Sequence, residues 1–203
     1  GLTETGAQIL SNPMPPEIRK IGSPGVAYGN EIMVGDDNQN PVAANVEGEI
    51  LVRGSNVMQG YLDRPEETAK TITADGWLRT GDLGRMDEDG FIFVTGRIKE
   101  LIIKGGENIA PREVDEALLE HDAVLEAAAF PRTCKDYGQR VEACVCLKKG
   151  RNVSENELRE FCEGLIGAYK TPDHIYFLDD LPKGPSGKVQ RMKLVDLTLS
   201  ASD

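Results

Sequence analysis

The sequence predicts an α+β protein in two parts: a small β-barrel-like subdomain, then a mobile C-terminal α+β domain built as a three-stranded-type sheet with flanking helices. Three observations lead there. Residues 1–95 are rich in turns and short strands. From about residue 99, strand and helix spacings alternate. The change falls near Arg97–Glu100, where Arg97 and Lys99 stand in place of a Pro/Ser-rich linker. Such a junction suits halves that move while sharing a ligand. The parts are drawn as residues 1–97 and 98–203.

In the first part, Glu31–Val34, Glu49–Arg53 and Phe91–Thr95 are the clearest strands. Asp89-Gly90, after Met86-Asp87-Glu88, reads as a tight hairpin turn. A short helix starts near Arg64-Pro65, because a first helical turn tolerates proline. This half forms a small barrel or a folded sheet.

In the second part, a strand over Glu100–Lys104 leads to a helix opening at Pro111, with Val114, Ala117, Leu118 and His121 on one face. Strands follow at Val124–Phe130 and Val141–Leu147. Ser154-Glu-Asn-Glu157 is a capping box ahead of Leu158, Phe161, Cys162, Leu165 and Ile166, which follow helical spacing. Gly167 ends that helix, Ile175–Leu178 is a last strand, and Lys188–Leu199 closes with a short helix. The order β-α-β-β-α-β describes two helices packed on a sheet.

The 203 residues suffice for one large or two small domains, and 39% hydrophobic content describes a globular chain. A net charge of -11 repels polyanions, which argues against nonspecific binding to nucleic acid or anionic membranes. No apolar run approaches the roughly 20 residues of a membrane span. Cys134, Cys144, Cys146 and Cys162 follow no metal-binding spacing and are expected as reduced thiols in a cytoplasmic protein. His121 and His174 are isolated and read as structural or surface residues. A homodimer is compatible with the sequence.

Four segments have residue types that suit a phosphorylated ligand. In Gly96–Pro111, Arg97 and Lys99 would share one face of a strand that runs into Gly105-Gly106. Cations and exposed backbone N–H groups at one junction suit a phosphate, yet an ordinary strand, loop and helix start fits equally. In Pro182–Arg191, Gly184 and Gly187 flank a loop that presents Lys188 as a mobile point charge. A plain surface turn fits this too, and the pattern is not a Walker loop, because Pro182 and Val189 occupy required positions. In Trp77–Leu83, Asp82 after Gly81 could accept hydrogen bonds from a sugar diol or merely satisfy its own turn. At the start, Thr3 and Glu4 offer a hydroxyl and a carboxylate for a phosphate and a hard cation. Asp36, Asn38 and Asn40 imitate a calcium loop, but Pro41 takes the glycine position, leaving a hairpin loop.

The order of these segments is more specific than any one of them. Thr3-Glu4, Gly48–Gly54 with Gly60-Tyr-Leu62, Arg79–Leu83, Gly96-Arg97, Gly105-Gly106 and Pro182…Gly187-Lys188 form a series across essentially the whole chain. The series resembles the adenylate-forming superfamily of acyl-CoA synthetases, luciferases and peptide-synthetase adenylation domains. Ser11-Asn-Pro13, Gly96–Ile102 and Leu181–Arg191 are most similar to the oxalate–CoA ligase branch, near the 4-coumarate–CoA ligases. Two stretches depart from the pattern: Gly22-Ser-Pro-Gly-Val26 is reordered, and Ile103-Lys-Gly-Gly-Glu-Asn108 differs from the oxalate enzymes.

The resemblance implies an acid–thiol ligase that uses ATP, Mg²⁺ and CoA on a small-molecule carboxylate. It implies Thr3 at phosphate, Glu4 at the metal, and Asp82 at the ribose hydroxyls with Arg97 beside them. Lys99 becomes a hinge, Gly105 and Gly106 line the pantetheine path, and Lys188 is the adenylation lysine. It also implies that the phosphate loop and acyl pocket precede Gly1, making this a C-terminal portion. An adenylation domain that loads a carrier protein and a non-catalytic module of this fold are the alternatives.

Overall fold

Short runs of aliphatic and β-branched residues, broken by turns, build the first part of the chain. In the computed structural model, which describes residues 1–6, 8–185 and 187–199, β1 (Leu10–Ser11) pairs antiparallel with β2 (Val26–Ala27). Ser186 of the lysine loop lies outside the described residues. Four longer strands, β3 (Glu31–Gly35), β4 (Gly48–Arg53), β5 (Leu78–Met86) and β6 (Ile92–Arg97), form an antiparallel sheet in chain order. Among the described residues β3 and β6 remain its edges, so the first part is a folded sheet and not a closed barrel. Val34, Ile50 and Ile92 are its buried centre, flanked by Leu10, Ile32, Val42, Met86 and Val94. Helix α1 (Pro65–Thr71), between β4 and β5, begins with proline at its first position, as predicted.

The chain divides into two compact units, the first ending at Lys99 and the second beginning at Glu100. In the second, β7 (Ile102–Lys104) and β8 (Glu107–Ile109) form a hairpin, followed by α2 (Pro111–Leu119). Strands β9 (Val124–Cys134) and β10 (Gly138–Leu147) pair along most of their length. Helix α3 (Glu155–Ile166), β11 (His174–Phe177) and α4 (Arg191–Leu199) complete the unit. On the side of β10 away from β9, residues 142–145 pair with β11 in parallel, while Gly138 meets Lys104 of β7.

The α+β class is as predicted, but the sheet has five strands, so the three-stranded type expected from the sequence is corrected. Four of the five lie where strands were expected, and the fifth is β8, whose three residues carry no pattern of their own. Alternation along β10 buries both faces of the sheet. Val141, Ala143 and Val145 join Val114, Leu118, Leu158 and Cys162 of α2 and α3. Cys144 and Cys146 face the other way, toward Leu181 and, on α4, Leu194. Helix α3 starts where its capping box predicts: the Ser154 hydroxyl accepts from Glu157 N–H at 3.2 Å, and Gly167 ends it at φ 79°.

Candidate functional site

Within the first unit, Thr3 and Glu4 share one 3₁₀ turn, Thr3–Thr5. Met58 N–H donates to the Glu4 carbonyl at 2.8 Å, which fastens the turn to the loop after β4. The Glu4 carboxylate accepts from the Tyr61 hydroxyl at 2.9 Å. Donation to Glu4 holds the Tyr61 phenol above its ordinary value of 10.0. The contact joins residues 57 apart, a pairing the sequence does not disclose. Among the described residues, no three His, Cys, Asp or Glu side chains converge as a metal cage. A lone carboxylate still suits Mg²⁺, which keeps waters and phosphate oxygens as its other ligands.

Asp82 is presented by a break in the β4–β5 ladder, whose register shifts between Glu49 and Leu51. Gly81 adopts φ 70° there, a left-handed conformation open to glycine. Buried Glu49 brackets the break by accepting from Gly81 N–H at 3.0 Å and from Arg79 Nε at 2.9 Å. The Thr80 hydroxyl donates to the Ile50 carbonyl at 2.7 Å and accepts from Asp82 N–H at 3.0 Å. Asp82 and Arg97 are direct cross-strand partners, with Arg97 Nε 2.8 Å from Asp82 Oδ1. The structure therefore brings these two together, within a frame that includes the unpredicted Glu49 and Arg79.

Lys99 lies in the 3₁₀ turn Ile98–Glu100, immediately after β6. The expectation that Arg97 and Lys99 share a strand face is corrected, because the strand ends at Arg97 and the next three residues turn. The division between units falls directly after Lys99.

Gly105 and Gly106 connect β7 to β8 as a two-residue hairpin turn, with φ 56° and 90°. Positive φ at both positions is what a primed turn requires. A β-carbon on Gly105 would sit 3.0 Å from the Tyr169 hydroxyl oxygen. That hydroxyl donates to the Lys104 carbonyl, while Lys104 Nζ, itself buried, donates to the Tyr169 carbonyl at 3.0 Å. Both glycines are exposed.

Lys188 stands on a loop closed by its own backbone. Gly184 N–H donates to the Lys188 carbonyl at 2.8 Å, Gly187 N–H to Gly184 at 2.9 Å, and Gln190 N–H to Pro182 at 2.8 Å. Lys183 and Val189 pair across it. Lys183 is bound to Glu126 and Asp180 at 2.8 and 3.0 Å, whereas the exposed Lys188 ammonium has no partner among the described residues. The loop thus spends one lysine on its own structure and leaves the other available as a point cation.

Residues 1–62 match the AMP-binding enzyme family and residues 113–188 match the AMP-binding enzyme C-terminal domain. The chain is 49% identical over 196 residues to a sulfoacetate–CoA ligase of Cupriavidus necator, covering 97% of this chain and 38% of that protein. It is 40% identical over 202 residues to an oxalate–CoA ligase of Saccharomyces cerevisiae, covering 99% and 37%. Among solved structures, ATP-bound MatB from Rhodopseudomonas palustris superposes with TM-score 0.90 at 34% identity, covering 97% of this chain and 40% of that one. The chain thus spans about two fifths of the proteins it matches.

Proposed function

This chain belongs to the AMP-binding enzyme family, and from that premise we propose that it is the C-terminal part of an ATP-dependent acyl-CoA synthetase. In the first step a carboxylate oxygen attacks the α-phosphate of ATP, giving an acyl-adenylate and pyrophosphate. In the second, the CoA thiol attacks the acyl carbon, forms the thioester, loses its proton and releases AMP.

The observation that carries this reading is Lys188, an exposed cation on a backbone-closed loop, with no ion-pair partner among the described residues. Joining two anions, a carboxylate and a triphosphate, calls for a positioned cation that stabilises charge in the transition state. Lys188 would bridge them. Asp82 would accept from the ribose hydroxyls, with Arg97 holding its carboxylate. Thr3 would touch phosphate. Glu4, oriented by Tyr61, would hold Mg²⁺, which would supply charge neutralisation at the phosphates. Lys99 would be the pivot about which the second unit turns between steps, and the exposed Gly105-Gly106 turn would border the pantetheine path.

The test is made on the full-length enzyme with a panel of carboxylic acids. Pyrophosphate release should depend on one class of acid, and CoA should accept the acyl group in preference to a pantetheinylated carrier protein. Transfer to the carrier with none to CoA, or no carboxylate-dependent pyrophosphate release, would contradict the reading.

A further inference from the structure

Arg191 opens α4, three residues after Lys188. A cation in the first turn of a helix opposes the helix dipole, so local preference does not place it there. Its contacts do. Arg191 Nη1 donates to the Ala129 carbonyl at 2.9 Å and to Asp115 Oδ1 at 3.2 Å, while Nη2 binds Asp115 Oδ2. Nε reaches Glu100 Oε2 at 3.3 Å. Asp115 on α2 also accepts from Ala129 N–H of β9 at 2.6 Å. The Arg191 and Asp115 side chains are 19% and 10% exposed. One guanidinium therefore ties α2, β9 and the residue next to Lys99 to the C-terminal foot of the Lys188 loop. The other foot is held by Lys183, through Glu126 and Asp180.

We propose that Arg191 is the positioning residue of the adenylating lysine, fixing the foot of its loop to the segment that begins at Glu100. The proposal rests on reading Lys188 as that lysine. A planar fork suits the task because it binds a carboxylate in two places and keeps a third direction for Glu100. Small displacements of a catalytic cation cost rate steeply, so loosening the foot should slow the step that uses Lys188 and spare the other.

The experiment compares Arg191→Gln, Arg191→Lys and Glu100→Gln with Lys188→Ala in the full-length enzyme. Arg191→Gln should lower the adenylation kcat about 30-fold with the ATP KM little changed, while thioester formation from supplied acyl-adenylate stays within about threefold. Arg191→Lys should recover only part of the loss, because a point charge cannot reproduce the fork. Glu100 is half-exposed, so Glu100→Gln should leave the fold intact and give a selective loss of about threefold. Hydrogen exchange gives a second readout: the Gly184, Gly187 and Gln190 amides should exchange about tenfold faster in Arg191→Gln, with β10 unchanged. Equal loss in both half-reactions, or unchanged exchange in the loop, would overturn the positioning role. If Lys188→Ala shows the selective loss and the Arg191 and Glu100 variants do not, only this inference fails. If Lys188→Ala itself shows none, the reading beneath it fails.

Discussion

The carboxylate of Asp82 owes its position to neighbours: the left-handed Gly81, the Thr80 hydroxyl, buried Glu49 behind the turn, and Arg97 across the strand. Asp82→Ala in the full-length enzyme should raise the ATP KM about 10- to 100-fold, the range for losing hydrogen bonds to a charged group. Steady-state kinetics against ATP checks this, and an unchanged KM would remove Asp82 from the nucleotide site. Asp87 plays a purely structural part. It pairs with Lys20 and accepts from Asp89 and Phe91 N–H at 3.0 and 2.9 Å, closing the β5–β6 hairpin. The hydrogen bond from Lys20 holds its carboxyl below the ordinary 3.8. A depressed folded value means stability is present above the ordinary value and lost as pH falls through the folded one. The melting temperature should therefore drop on acidification below about pH 4, and less steeply in Asp87→Asn. Equal slopes would contradict this.

At the scale of elements, the second unit is joined by buried charge as well as by its two apolar clusters. Glu142 of β10 is fully buried and accepts from Arg132 at 2.8 Å, Arg140 at 2.9 Å and the Tyr176 hydroxyl at 3.3 Å. Arg132 also reaches the Val195 carbonyl and Thr198 of α4. Removing the Glu142 charge leaves Arg132, its side chain only 11% exposed, without its carboxylate. Glu142→Gln should cost about 3 kcal/mol, read by denaturant unfolding of the chain. A loss within about 0.5 kcal/mol would show that the network is not needed for stability. The same scale shows what sequence could reveal. Helix α3 was legible because its cap, apolar stripe and terminal glycine are all local. Strand β8 was not, since three residues become a strand only because Gly105-Gly106 turns them back onto β7. The Arg97–Lys99 pair was misread for a similar reason, as a strand end cannot be located from two cations alone.

For the whole molecule, the order of short motifs disclosed the family while each motif alone was ambiguous. The candidate site was partly legible: Asp82, Arg97 and Lys188 could be named. Their supports could not, because Glu49 precedes Gly81 by 32 residues and Asp115 precedes Arg191 by 76. Pairings at such distances leave no periodic trace. The chain covers only 37–40% of the matched proteins. The 203 residues alone should therefore release no pyrophosphate from ATP and a carboxylate, and turnover by them would refute that division of labour. The most direct test of the central claim is Lys188→Ala in the full-length enzyme, with the two half-reactions measured separately. Adenylation should fall at least ~100-fold while thioester formation from supplied acyl-adenylate stays within about threefold. Equal loss in both half-reactions would contradict the assignment of Lys188.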